Sequence, residues 1–73
     1  MKSCFVLVHC DKDMKKAVVD QLRKINGIDE IEELNNEQGI RIKVVAESKD
    51  RLRRIIVWKI QKMACVNSVQ NLD

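Results

Sequence analysis

The feature that most constrains the fold of this chain is an internal repeat. When the 73-residue sequence is shifted by 38 residues, residues 14–31 lie over residues 52–69, and apolar residues fall on apolar residues. The match continues backward, so that Cys4, Val6 and Val8 fall on apolar partners (Ile42, Val44 and Ala46). Two amphipathic helices always share their spacing, but this match extends beyond the helices. We therefore interpret the chain as two copies of a strand–helix–strand unit.

Apolar periodicity predicts the elements of each unit. Strands are predicted over residues 3–9, 28–34, 40–47 and 66–71, and helices over residues 13–26 and 49–64. Asp11 or Asp13 is expected to cap the first helix and Ser48 the second, while Gly27 suits a helix C-terminus. The segment "NNEQG", residues 35–39, has the composition of a hairpin loop. The predicted core stripes are Met14, Ala17, Val18, Gln21, Leu22 and Ile25 in the first helix, and Leu52, Ile55, Ile56, Ile60 and Met63 in the second.

The element order βαββαβ indicates an α+β fold. Two right-handed βαβ units joined by a hairpin form a ferredoxin-like domain, a four-stranded antiparallel sheet with both helices on one face. We expect one domain over residues 1–73, with the first and third strands at the centre of the sheet. The second strand carries Glu30, Glu32 and Glu33, which suits an edge that must not pair with other chains.

Composition indicates the assembly state and the cellular compartment of the protein. A domain this small is marginally stable alone, which favours assembly with other subunits. The three cysteines, Cys4, Cys10 and Cys65, are an odd number without a CxxC motif, which argues for a reducing compartment. The longest apolar run is residues 5–8, too short for a membrane span or a signal peptide. We predict a cytoplasmic protein with no membrane partner.

The sheet face without helices is predicted to be an interface. The repeat places the small apolar side chains of the central strands toward the helices, so the open face carries Phe5, Leu7 and His9 beside Val45, with Arg41 and Lys43 between them. So much apolar surface at the centre of a sheet usually marks a contact with another molecule. We therefore predict a homodimer or a higher homo-oligomer that uses this face.

Trp58, the only Trp, lies about 120° from the centre of the second helix's core stripe. Its counterpart in the first helix is Asp20, a residue expected to face solvent. Three positions are open to it: over the end of the sheet, covered by its own chain; in a pocket of another subunit; or in a surface that stacks on nucleic acid bases. We include Trp58 among the predicted interface residues.

The sequence lacks the motifs of several functional classes. RNA-recognition domains share this topology, but they need stacking aromatic residues on the third strand, and "IRIKVVAE" has none. His9 and Cys10 are adjacent in a strand and point to opposite faces, so they cannot bind one metal ion together. No nucleophile–base constellation can be made out. We predict no catalytic residues, no metal site, no cofactor and no enzymatic activity.

Three segments resemble a known family. "SCFVLVHCD", "INGIDEIEEL" and "SKDRLRRIIVWKIQKMACVNSV" are similar to the ligand-binding (RAM) domain of the Lrp/AsnC regulators, especially the stand-alone archaeal forms that lack the DNA-binding helix-turn-helix. The resemblance covers nearly the whole chain. It implies a sensor of amino acids or related metabolites that dimerises through its open sheet faces and assembles further. Effectors of the family bind between dimers, which makes Trp58 a candidate for an inter-dimer contact.

One departure from the family concerns the effector site. The family uses a motif like G-x-Y-D in the second hairpin loop, and the aligned positions here are Asn36, Glu37, Gln38 and Gly39. Because the Gly, Tyr and Asp of the motif are missing, the family's ligand contacts cannot be transferred to this chain. The loop residues Asn36, Glu37, Gln38 and Gly39 are a predicted ligand site by position alone.

The sequence therefore predicts a homo-oligomeric domain that binds a small metabolite in transcriptional or metabolic regulation. It could pass its signal to a full-length Lrp/AsnC regulator, and it could not bind DNA through a helix-turn-helix, for which the 73 residues leave no room. One alternative is a chaperone of the NapD kind, which binds twin-arginine signal peptides on its sheet. A second alternative is a weak RNA-binding module.

Overall fold

A computed structural model describes residues 1–34 and 39–72 of the chain. Strand β1 (Lys2–Cys10) leads through a 3-10 turn (Lys12–Met14) into helix α1 (Lys15–Leu22), which is followed by strands β2 (Ile28–Glu33) and β3 (Gly39–Ala46). Helix α2 (Lys49–Arg54) continues as a π-helical segment (Ile55–Ile60), and strand β4 (Val66–Asn71) ends the fold. The antiparallel sheet has the order β2-β3-β1-β4, which confirms the ferredoxin-like prediction with the first and third strands at its centre.

The core lies between the helices and one face of the sheet. Side chains alternate between the two faces along β1 and β3, so every second residue of these strands is buried. The buried apolar residues of β1 and β3 are those that the repeat assigned to the helix side, namely Cys4, Val6, Val8, Ile40, Ile42 and Val44, together with Cys10 at the end of β1. The branched valines and isoleucines suit a pleated surface, and their burial fixes the register of the strand pairs.

The first helix differs from the prediction in its length, its cap and its core stripe. It is shorter, and its buried residues are Val18, Val19 and Leu22, whereas Met14 and Gln21 are exposed. Neither predicted aspartate caps it with a side-chain hydrogen bond; Asn67 Nδ2 on β4 instead donates to Asp11 Oδ1 over 3.1 Å. A tight 3-10 turn precedes α1, and Val19 is buried in the core whereas the predicted Gln21 is not.

The second helix begins as predicted and then changes its winding. The Ser48 side chain accepts a hydrogen bond from the backbone N–H of Arg51 over 3.3 Å, which confirms this N-cap. From Ile55 the helix is π-helical, and Gln61 N donates to the carbonyl of Ile56, five residues earlier. Three consecutive β-branched residues, Ile55, Ile56 and Val57, crowd a regular α-helix and favour this wider turn. Of the predicted stripe, Leu52 and Ile60 are buried and the others are half-buried.

Gly27 connects the first helix to β2 in a backbone conformation that few other residues adopt. Its φ is +103°, and a Cβ at this position would lie 2.8 Å from Ile55 Cδ1 and 3.0 Å from the carbonyl oxygen of Val45. The Gly27 carbonyl also accepts a hydrogen bond from Val45 N over 2.7 Å. The turn therefore needs a glycine both for its dihedral angle and for its close approach to β3 and the π-helical segment.

We expect Gly27→Ala to destabilise the fold by about 1–3 kcal/mol, since it adds an unfavourable φ to a contact with backbone that cannot move aside. Gly39→Ala is the matched control, because its Cβ would meet the flexible side chain of Leu7 at 3.2 Å. Chemical denaturation of both variants at one protein concentration measures the difference. Equal stabilities of the two variants would contradict the role assigned to Gly27.

Candidate functional site

The open face of the sheet carries apolar side chains along its central strand. Phe5, Leu7 and His9 point away from the helices on β1, and each is half-buried in the single chain. Val45 on β3 is also half-buried and on this face. The structure therefore brings four of the five predicted interface residues together on one surface, which we call the open face.

Charged residues border the apolar part of the open face on the side of β2. Arg41 lies 3.6 Å from Glu32, and Lys43 Nζ lies 3.8 Å from a carboxylate oxygen of each of Asp29 and Glu30. The Arg41 guanidinium carbon also stands 4.3 Å from the centre of the Phe5 ring. Because these pairs are largely exposed, each contributes only about 0–1 kcal/mol to stability. Their arrangement leaves both cations of the face neutralised by acidic residues of the edge strand.

Gly39 makes room for an apolar contact at the hairpin end of the open face. The glycine is the first residue of β3, pairs with His9 and is buried in the sheet. A Cβ there would lie 3.2 Å from Leu7 Cδ1 and 3.8 Å from Leu34 Cδ1, so both leucine side chains pack close to the glycine backbone. Sequence reasoning assigned Gly39 to the loop and did not predict this contact, which only the pairing register of β1 with β3 reveals.

Trp58 lies apart from the open face. It sits on the π-helical segment and is 64% exposed, so its own chain does not cover it. Lys62 Nζ is 4.8 Å from the centre of its ring, a cation–π contact on the protein surface. This exposure rules out the first of the three positions left open by the sequence, a Trp58 covered by its own chain. A pocket of another subunit and a surface for nucleic acid bases stay predictions.

The predicted ligand-binding loop is only partly described. Asn36, Glu37 and Gln38 lie outside the described residues, so their part in a ligand site stays a prediction. Gly39, the fourth predicted residue, is buried at the start of β3.

A groove of about 500 Å³ runs along the other side of the molecule. Its walls are α2, with Lys49, Leu52 and Arg53, and the π-helical segment, with Ile56 and Val57. The helix-facing side of β1 and the edge strand β4 complete it. We call this space the helix–strand groove. Sequence reasoning did not find it, because its lining combines segments that are distant in the sequence.

A second cavity, of about 490 Å³, lies at the opposite side of the second helix. Gly27 and Val45 line it together with Ile55, and the exposed residues Arg51 and Arg54 border it. Glu47 is also part of its lining, so this cavity combines both signs of charge.

The cysteines form no disulfide in the structure. Burial raises the pKa of the Cys10 thiol above its ordinary value, although the nearby Lys15 ammonium acts in the opposite direction. A thiol with a raised pKa stays protonated near neutral pH, where it is a weak nucleophile and a poor metal ligand. Residues 1–34 and 39–72 hold no group of three metal-ligating side chains. They also include no helix that is both long and apolar enough to cross a bilayer.

The fold is shared with several solved structures. The crystal structure of FFRP-DM1 matches with a TM-score of 0.90 and 21% identity, over 99% of this chain and 96% of that one. A protein of Thermus thermophilus matches with a TM-score of 0.89 and 15% identity, over 99% of this chain and 90% of that one. E. coli AsnC matches with a TM-score of 0.86 and 22% identity, over 96% of this chain but only 48% of AsnC.

These structural matches establish the fold alone. A match to a family's sequence profile identifies the family. No protein with a curated description matches the chain. The sequence profile of the Lrp/AsnC ligand binding domain matches residues 3–71, so it covers both strand–helix–strand units. The chain therefore belongs to the Lrp/AsnC ligand binding domain family.

Proposed function

We propose that the protein is a small-molecule-binding regulatory domain that works as a homo-oligomer in the cytoplasm. Its effector would be an amino acid or a related metabolite, and its output a change in transcription or metabolism, either through its own assembly or through pairing with a full-length Lrp/AsnC regulator. The observation that carries the proposal is family membership over residues 3–71 together with an apolar open face. Within the described residues no helix-turn-helix is present.

The open face supports dimerisation by its shape and its charge. Phe5, Leu7 and Val45 form an apolar centre on rigid paired strands, where a second copy could bury them without ordering a loop. The neighbouring cations Arg41 and Lys43 already have acidic partners, so covering this face would not bury an unpaired charge. The same features disfavour single-stranded RNA, which needs several stacking aromatic residues beside a basic groove.

We expect Leu7→Lys to convert the oligomer into a smaller species, because a lysine ammonium at the centre of two paired faces would lose its hydration without a partner. The aliphatic stem of the lysine can still cover Gly39, so the fold should be retained. Gln21→Lys makes the same charge change at an exposed position of α1 and should leave the mass unaltered. Light scattering measures the mass, and circular dichroism checks the fold.

A Leu7→Lys variant that keeps the full assembly mass would contradict dimerisation through the open face. If the unmodified protein is itself a monomer, the open face is free, and the peptide-binding chaperone becomes the better proposal.

Trp58 supports a second contact, between dimers, because it projects from the helical layer and not from the open face. We expect Trp58→Ala to lower the oligomeric state to the dimer and to leave the domain folded, since a side chain this exposed contributes little to the core. The matched control is Lys62→Ala, which removes the cation–π contact, worth about 0.5–1 kcal/mol, but keeps the indole. Light scattering measures the assembly mass of both variants. An unchanged mass for Trp58→Ala would exclude the inter-dimer role of Trp58.

Effector binding can be tested by thermal unfolding in the presence of each of the amino acids and of common metabolites. A ligand at 100 times its Kd stabilises the native state by about 2.7 kcal/mol. For a domain of this length, each kcal/mol raises the Tm by about 4–8 °C. We expect at least one such metabolite to raise the Tm. A screen without any shift would contradict the sensor proposal and favour a role in protein interaction.

A further inference from the structure

We infer that the helix–strand groove is a binding site for a small organic anion with an apolar tail, such as a carboxylate of intermediate chain length. The inference goes beyond the proposed function, because it concerns a carboxylate without an ammonium group and a separate place of binding. The site is distinct from the loop 35–39, since the groove is built by α2, the π-helical segment and the strands beneath them.

The groove has the size and the floor that a small ligand needs. Its volume of about 500 Å³ falls within the range of about 300–1,000 Å³ that is typical of ligand pockets. Leu52, which is 7% exposed, and the half-buried Ile56 and Val69 provide an apolar floor. A short hydrocarbon tail laid against these side chains would leave water without requiring any change in the core.

The π-helical segment borders this space. In the sequence repeat, Val18 and Val19 of α1 correspond to Ile56 and Val57, yet the first pair is buried and the second pair is half-buried against the groove. The wider turn therefore presents apolar side chains that a regular helix packs on the sheet. π-helical turns of this kind are frequent at functional sites.

The charges of the groove select the ligand. Lys49 and Arg53 lie one helical turn apart, so both side chains border the groove on the same side. Neither has a carboxylate within ion-pair distance among the described residues. The described lining contains no aspartate or glutamate either. A carboxylate would find two cations there, whereas the ammonium group of an amino acid would find no partner.

The groove would stay accessible in the dimer proposed above. It lies on the helix-covered side of the sheet, because Cys4 and Val69 contribute to it from positions that face the helices. Dimerisation through Phe5, Leu7 and Val45 uses the opposite face of the sheet. The second cavity is a weaker candidate for an anion, since Glu47 lines it beside Arg51 and Arg54.

The test is an amide NMR titration of the full chain with hexanoate, and with leucine and hexylamine as comparison compounds. We expect hexanoate to shift the amides of Leu52, Val57 and Val69, which line the groove, and to leave Lys43 on the open face unaffected. Leucine and hexylamine should bind at least about tenfold more weakly, because a buried or partly buried ammonium without a partner opposes binding.

Two neighbouring arginines give a matched pair of variants. Arg53→Gln removes a cation from the groove and should weaken hexanoate binding about two- to fivefold, the effect of losing an ion pair at an exposed side chain. Arg54→Gln makes the same change one residue away, where the side chain borders the second cavity, and should leave the Kd nearly unaltered.

Three outcomes would overturn the inference: no shift at the groove amides, equal weakening by the two variants, or binding of leucine or hexylamine as tight as that of hexanoate. None of them decides the regulatory proposal, which depends on the metabolite screen and on the mass of the Leu7→Lys variant. A groove that binds no hexanoate in a protein whose Tm responds to another metabolite would refute the inference and leave the regulatory function standing.

Discussion

The rest of the structure depends on the asymmetric burial of the two central strands. In β1 and β3, every second side chain is packed under the helices, and the intervening ones stay on the open side. A slip of one residue in β1 would place Phe5 in the core and bring Val6 to the surface, and a slip in β3 would exchange Arg41 and Ile42 in the same way. The packing of the helices and the composition of the open face are therefore two results of one pairing register.

Much of this arrangement could be predicted from the sequence, because it follows from periodicity. Alternation in residues 40–47 and the repeat in residues 3–9 were enough to assign the core side, the open side and the central position of both strands. Ser48 was predictable as a cap because a serine before a helical pattern accepts hydrogen bonds from the first turn. Trp58 was predicted to lie off the core stripe, and it is exposed. Its spacing from Leu52 and Ile60 places it on the outer side of the helix, whether the helix is α or π.

The parts that could not be predicted depend on contacts between distant segments. Asp11 was a reasonable cap for α1, but its carboxylate accepts a hydrogen bond from Asn67, which is 56 residues away in sequence. The exchange of Gln21 for Val19 in the core and the π-helical winding after Arg54 both change which side chains face the sheet. The helix–strand groove lies beside that winding and is lined by residues of four separate elements. No pattern in residues 49–64 distinguishes a groove from a fully packed helix.

The two halves of the chain also differ in how deeply their corresponding helical residues are buried. Their sequences align and their topologies agree, but the first half places Val18 and Val19 in the core, where mutation would be limited by stability. The second half leaves Ile56 and Val57 half-buried beside the helix–strand groove. The two halves therefore share one architecture but differ in what a substitution costs. Shortening Val18 or Val19 would leave a cavity in the core, whereas shortening Ile56 or Val57 would remove contacts that are already partly open to water.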